Sequence, residues 1–463
     1  MKRFKLTILS FVGLLVTGAC SDFLKEKSQD EVIPSTVTDY SEILLAYSNP
    51  GGYNMLSVLD DDIEINDLQY NNNENSIVKQ HGGVFTWQPD MWEWENGIKD
   101  SYESTYTQIM GVNAVLDGVD DVEGSVEEKE VVKAQALGLR AYYYFMLVNL
   151  YGEPYNYNKK ALGVPLKLTS ALLENGITRN TVEEVYTRIV MDLEQASALF
   201  GKYSKRRGDF RINGTATDIL LSRVYLYMEE WDRAIEAANR AIKTAEGLTD
   251  YTTVEAGNQF YMTTYELSEV EWLFDMSITN FPFVPSGDLL SKYTSGDKRE
   301  TLWFDANGSI SKRAQKSGWG PNRTIRISEA YLNRAEALVL SQNANIGEAL
   351  ADLNELRRHR IVGYQDISIS DATILLGEIR VERRLELCFD GHRWFDLRRY
   401  GMPSISHDYK LKKNDAWVTY VLKEKDPLYT LPIPRAVILN NVKLEQNPSA
   451  NAPERIGVPK SNL

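Results

Sequence analysis

Along much of the chain, apolar residues recur three or four positions apart, the spacing of one helical face. In YESTYTQIMGVNAVLDGV the stripe is Tyr102, Tyr106, Ile109, Val112 or Asn113, and Leu116. Residues 133 to 152, KAQALGLRAYYYFMLVNLYG, are apolar on most faces, which predicts a helix buried on several sides. Asn180-Thr181-x-x-Glu184 reads as a capping box that opens a helix running through Phe200.

The stretch ATDILLSRVYLYMEEWDRAIEAANRAIK is the most telling for architecture. It places Leu221, Ser222, Tyr225, Trp231, Ala234, Ala238 and Ala241 at the offsets of a tetratricopeptide repeat, where small residues let paired helices approach closely. ISEAYLNRAEALVLSQNANIGEALADLNELRRHR repeats the theme, with Ala335 and Ala349 in the small-residue positions. Two degenerate pairs are expected upstream. Repeats of this kind stack into a solenoid.

Three regions break the periodicity. Residues 60 to 97 hold acids, a run of Asn, two adjacent Gly and three Trp, and read as a long loop whose aromatic content argues for function over disorder. Residues 251 to 324 are punctuated by Gly and Pro, with EVEWLFDMSITN alternating enough for one short strand. Residues 401 to 463 are similarly irregular, with Pro432 and Pro434 in LPIPR restricting helix. The fold class that follows is mainly α: a tetratricopeptide-like helical solenoid, with helix pairs at about 98–245 and 325–400, long loop-rich inserts and a few short strands.

The N-terminus adds a location. Lys2, Arg3 and Lys5 precede an apolar run from Leu6 to Val16, and Thr17-Gly18-Ala19-Cys20 follows. Residues 1–19 thus read as a signal peptide, and Cys20 as the lipidated first residue of the mature chain, although Thr17 stands where a lipobox usually has Leu. Acylation would anchor the chain to a membrane surface through a polar tether at about 20–35. An ordinary secretory signal cut near Ala19 is the other reading. Cys388 is then left alone, expected to be a buried and inert thiol. The formal net charge of −14 argues against nucleic acid and anionic lipid as partners.

Residues 385 to 401, LELCFDGHRWFDLRRYG, crowd Glu386, Asp390, His392, Arg393, Asp396, Arg398 and Arg399 together. Glu382 and Glu386 sit one helical turn apart with Arg383 and Arg384 between them. Gly391 permits a break, after which Trp394, Phe395 and Leu397 supply a new apolar face. Arginines among these carboxylates would keep them ionised and pin two helices at a defined angle, which disfavours a Glu386–Asp390 acid/base pair or a His392 base. One His is a poor metal set. Asp60-Asp61-Asp62 with Glu64 lacks the spacing of a calcium loop and reads as a solvated acidic edge. No cofactor or metal is expected.

The run from Ile379 to Arg399 resembles the signature of the SusD/RagB family of outer-membrane nutrient-binding lipoproteins, with Glu382, Arg383, Glu386, Gly391, His392, Arg393, Trp394, Asp396 and Arg398 as its structural residues. YGEPY followed by GVPL, ILLSRVYLY, Asp297-x-Arg299, EAYLNRAEA, and LPIPR followed by QNP agree in order, so the resemblance covers essentially the whole chain. It implies a single domain over residues 20–463 on the surface of a Bacteroidetes-like bacterium. It implies capture of a glycan, or of a peptide, and delivery to a SusC-type TonB-dependent outer-membrane transporter, on which the protein acts as a lid. It places the ligand platforms at about 60–97 and 251–324. Trp92, Trp94 and Trp319 are the first choices there, with Tyr70, Asn72, Asn96 and Trp303 after them, because a sugar's C–H face stacks on flat rings while amides bind its hydroxyls. Trp87 reads as a loop anchor, and Trp231, Trp272 and Trp394 as packing. A lipid-anchored glycoside hydrolase and a protein-binding scaffold are the competing classes.

Overall fold

A computed structural model describes residues 34–48, 55–65, 67, 70, 76–94, 97, 100–173, 175–203, 208, 210–255, 269–275, 283–304, 310 and 323–462. Its main helices are α1 (Val37–Ala46), α2 (Ser76–Phe85), α3 (Tyr102–Gly118), α4 (Val126–Tyr151), α5 (Val182–Phe200), α6 (Gly214–Met228), α7 (Trp231–Thr244), α8 (Ile327–Leu340), α9 (Ile346–Arg358), α10 (Ala372–Leu387) and α11 (Arg393–Arg399). Helix α4 is the spine: every residue from Ala134 to Tyr151 is buried, because α3 packs on one side and α5 on another. Its N-terminus is closed by a reciprocal Ser125–Glu128 capping box, and α5 opens on the expected Thr181–Glu184 box.

The tetratricopeptide expectation holds at both places. In the α6–α7 pair, Leu221, Ser222, Tyr225, Ala234, Ala238 and Ala241 are all buried. Helix α7 packs next on α8, and α8 on α9, where Ala335 and Ala349 are buried. Small side chains let these axes approach closely, so each pair covers the apolar face of the one before. Trp231 sits at the edge of this core, half-buried, while Trp272 and Trp394 are fully buried within it. Cys388 is buried, its Sγ 3.6 Å from the Tyr293 hydroxyl.

The strands are short. β1 (Ile63–Glu64) pairs antiparallel with β3 (Val284–Pro285), and β2 (Val270–Asp275), in the stretch expected to form a strand, pairs antiparallel with β4 (Arg323–Arg326). The C-terminal part is more regular than its composition suggests. β5 (Ile405–Tyr409), β6 (Val418–Leu422) and β7 (Val458–Pro459) form one antiparallel sheet, with Ile405 opposite Leu422 and Tyr409 opposite Val418. After Pro434 a short helix, Arg435–Asn440, forms at once, since proline is tolerated ahead of a first turn.

Two expectations are corrected here. The segment 60–97 contains α2, a helix in place of continuous loop. Its paired glycines, which weaken the helical signal, serve close aromatic approach: a Cβ on Gly83 would fall 2.7 Å from the Trp94 ring. The acidic run is also no solvated edge. Asp60 and Asp62 are buried, and Asp61 accepts both Nε and an Nη of Arg393, at 2.6 and 2.8 Å. Asp62 accepts Arg384 Nε at 2.6 Å. The charges that solvent was expected to supply come from the helices α10 and α11.

Candidate ligand-binding site

The acidic and basic residues of the 379–399 motif fold inward. Helix α10 ends at Leu387, Gly391 turns the chain at φ +83°, and α11 starts at Arg393. The fully buried Glu386 is the centre. Its carboxylate accepts Arg299 at 3.0 Å, Arg326 at 2.5 Å, and Arg360 at 2.9 Å on each oxygen. Arg326 and Arg360 also hold Glu269, at 2.8 and 2.9 Å, and Arg326 reaches Asp390 at 3.0 Å. Arg299 pairs with Asp297 at 2.7 Å and Glu382 at 2.6 Å; Arg357 takes the other Glu382 oxygen at 2.6 Å. Arg383 on α10 bonds Asp396 on α11 at 2.8 Å, the expected helix-to-helix pin. Arg398 donates to the carbonyls of Asn149 and Gly152, closing the C-terminus of α4, where last-turn carbonyls lack helical partners. Trp394 stacks on Tyr429 with centroids 5.0 Å apart.

This arrangement holds elements together and keeps Glu382 and Glu386 below the ordinary carboxylate range. Burial alone would push the Glu386 carboxyl up, but Arg360, Arg326 and Arg299 hold it well below its ordinary value. Glu336 is buried too, yet Arg399 and Arg380 bring it down to about 2. Asp61 is likewise lowered to about 2, with Arg393 and Arg384 overcoming its burial. Groups depressed in this way stabilise the fold fully above the unfolded carboxylate range and lose that contribution as pH falls through the folded values. Asp60 opposes them: burial and its neighbours Asp62 and Asp61 raise its carboxyl well above normal, so it gains on acidification. With depressed groups in the majority among the shifted carboxylates, and Asp60 and Asp62 opposing them, denaturant midpoints are expected to fall below about pH 4.5, where unfolded carboxylates begin to titrate. A midpoint unchanged at pH 3 would contradict the ionised network.

Beside the network lies an open cleft of about 660 Å³. One wall is strand β5, with Ile405, Ser406, His407 and Asp408; the facing side carries Asp61, Ile63, Glu64 and Ser286. Trp417, at the entry to β6, closes one end and is half-buried. Lys410 Nζ sits 4.5 Å from the Trp417 ring centre and 5.3 Å from that of Tyr70, and pairs with Asp67. His407 forms the floor, stacked between Phe85 at 4.1 Å and Trp87 at 4.3 Å. Its two ring nitrogens face the carbonyls of Phe85 and Asp60 at 2.7 and 2.8 Å; burial is the largest influence on the ring and lowers its pKa. Burial alone would raise the Asp408 carboxyl, but Lys460 and Thr419 keep it below normal and ionised. The cleft therefore offers a half-buried aromatic ring, the exposed Ser406 hydroxyl and charged acceptors together, a set that suits a polyhydroxylated ligand.

The expected platform residues are distributed unevenly. Trp92 is half-buried and committed through its Nε1 to the Pro432 carbonyl at 2.7 Å. Trp94 is half-buried against Gly82 and Gly83 of α2, where the Tyr409 hydroxyl also approaches. Neither lines the cleft. Tyr70 is buried, its hydroxyl donating to the Lys410 carbonyl, so it supports Lys410 and presents no open face. Trp303 is fully buried and edge-on to Tyr251 at 6.0 Å; it packs, and a ligand has no access to its ring. Trp319, Asn72, Asn96 and Cys20 lie outside the described residues. Trp87 is the anchor expected of it, buried with Nε1 on the Leu59 carbonyl at 3.0 Å. Trp417 is the aromatic residue that reading the sequence passed over. The signal available was its place in NDAWVTYVL, a turn leading into alternating apolar positions.

Two family models match the chain in succession. One, described as starch-binding associating with outer membrane, covers residues 22–226. The other, described as SusD family, covers residues 287–449. Both descriptions name one class, the SusD-like outer-membrane-associated proteins. The chain belongs to the SusD/RagB family. SusD-like protein P25 of Formosa agariphila is 22% identical over 258 residues, which span 54% of this chain and 44% of that relative, less than half its length. A SusD superfamily protein from Bacteroides fragilis shares the fold with a TM-score of 0.71 at 24% identity, over 89% of this chain and 100% of that one. A laminarin-binding SusD-like protein superposes with a TM-score of 0.61 at 18% identity, over 90% and 100%. None of the described helices is long and apolar enough to cross a membrane.

Proposed function

We propose that this protein captures an oligosaccharide at the bacterial cell surface and passes it, uncleaved, to a SusC-type TonB-dependent transporter on which it acts as a lid. The observation that carries the reading is the cleft of about 660 Å³, with Trp417 at one end and Ser286, Ser406 and ionised Asp408 along it. A pyranose ring has one apolar face and a rim of hydroxyls, and this set complements both. Family membership and the laminarin-binding neighbour support a glycan. Trp92 and Trp94, half-buried outside the cleft, and Trp319, Asn72 and Asn96, outside the described residues, are kept in this reading as contacts for longer chains on the strength of the family resemblance alone, with Tyr70 behind Lys410. Cys20 carries the lipid that tethers the protein to the outer membrane.

A non-catalytic role is favoured because Glu386 and Asp390, the pair a hydrolase reading would recruit, are each committed to arginines. Titration of residues 21–463 with neutral glycans, laminarin oligosaccharides first, tests the proposal through Trp fluorescence and heat. Trp417→Ala is expected to weaken binding about tenfold, or about 1.4 kcal/mol. The glycan should keep its chain length after prolonged incubation. Shortened products would establish a hydrolase, and saturable binding of peptides alone would establish the peptide-uptake alternative.

A further inference from the structure

A second pocket, of about 400 Å³, opens on the solenoid between helices α4, α5, α6 and α7, formed by a different set of residues from the cleft. Its walls are apolar where Val131, Phe200 and Ile212 meet, and Tyr203 stands at its mouth. Most polar groups around it are committed to one another. Ser197 Oγ donates to Asp218 at 2.8 Å, and Arg240 Nε reaches the same oxygen at 3.0 Å. The Thr215 and Thr244 hydroxyls meet at 3.0 Å. Asn213 caps α6 and donates to the Glu271 carbonyl.

Two groups stand apart. Gln135, on the spine helix, is 5% exposed, lines the pocket, and has its Oε1 buried without a hydrogen-bond partner. Such an atom ordinarily costs about 1–3 kcal/mol, so it marks a place where a partner is missing. A half-turn of the terminal amide brings either its oxygen or its NH2 to the pocket. Lys243, one turn beyond Arg240 on α7, is exposed at the rim with no ion pair among the described residues. With Asp218 neutralised by Arg240, Lys243 leaves the mouth with one net positive charge. A polyhydroxylated chain is poorly served here, since Gln135 is the one wall amide with an open hydrogen-bonding atom and the Ser197, Thr215 and Thr244 hydroxyls and Asn213 already have partners.

We infer that this pocket binds a small aromatic monocarboxylate: ring against Phe200 and Ile212, carboxylate at Lys243, and a ring hydroxyl or carbonyl on the Gln135 amide. The inference stands independently of the glycan reading of the cleft.

The test uses the mature chain, p-coumarate as probe, and saturation-transfer NMR with calorimetry. Saturable binding is expected, and both Lys243→Glu and esterification of the probe to its methyl ester should weaken it about tenfold. Gln135→Leu should weaken it as well, while removing a buried unsatisfied atom and so leaving the melting temperature unchanged or higher. Far-UV circular dichroism and the melting temperature serve as the folding control for the two variants. No saturable binding by the intact protein overturns the proposal. So does equal affinity for acid and ester, or binding that survives Lys243→Glu unchanged.

Discussion

Glu386→Ala is expected to be the most damaging single change to the fold. The wild-type carboxylate is shared by Arg299, Arg326 and Arg360, none more than 1% exposed. Its removal leaves three guanidinium groups facing one another across a cavity with only part of their compensation, from Glu269, Asp297 and Asp390. Breaking a buried pair from one side costs about 3–5 kcal/mol, because the partner's charge remains desolvated. A chain stabilised in total by about 5–15 kcal/mol does not absorb that comfortably. Soluble yield at 37 °C should collapse, and any protein recovered should unfold at markedly lower denaturant. Glu386→Gln keeps the shape and two hydrogen-bonding atoms but removes the charge, and is expected to fall between. If Glu386→Ala unfolds within about 1 kcal/mol of wild type, the network is ornamental and the assignment of the motif as a structural lock fails.

The second large effect is at Trp394. The indole is fully buried, stacked on Tyr429 and packed at the first turn of α11. Trp394→Ala should cost about 3–5 kcal/mol through lost burial and the cavity left behind. Trp394→Phe makes the more discriminating comparison. The indole Nε1 is buried and has no hydrogen-bond partner among the described residues. Phenylalanine retains a stacking face and removes that unsatisfied donor, so the two terms offset and the cost should stay below about 1.5 kcal/mol. Equal losses for Ala and Phe, measured by chemical denaturation, would show that an Nε1 hydrogen bond carries the residue.

Much of this fold is legible in the sequence because its signals are local. Thr181 and Glu184 are three residues apart, and the helix they announce is there. The spacing of Ala234, Ala238 and Ala241 reports a helix face that needs no distant information. What escapes is contact at long range. Asp60, Asp61 and Asp62 look solvated because Arg384, the partner of Asp62, is 322 residues away. Helix α2 hides behind Gly82 and Gly83, whose reason for being small is a pair of aromatic rings from elsewhere. The candidate site divides in the same way. The 379–399 cluster is recognisable as a lock from its mixture of Arg and Glu. Trp417 stands alone in a polar run, and only the antiparallel register of β5 and β6 sets it beside Asp408 and Lys410. Trp303 shows the opposite error: a loop-like neighbourhood hid the fact that Tyr251 and the helical core enclose its ring.

The buried ion network also sets where this protein can change. Glu269 and Arg326 bracket the stretch that runs through residues 270–325, and Asp297 and Arg299 fasten its middle. Asp61 and Asp62 fasten the other irregular segment to α10 and α11. The stretch 270–325 is thus fastened at both ends and in its middle by buried charges, and between them it also lends Trp272, Leu289 and Trp303 to the core. Substitution of exposed residues between the fastened points, such as Asp288, is expected to leave the folding unit intact, whereas changes at Trp272, Leu289 or Trp303 reach the core. The motif that first looks like chemistry is better regarded as a mounting, a set of buried charges on which the two irregular segments are seated.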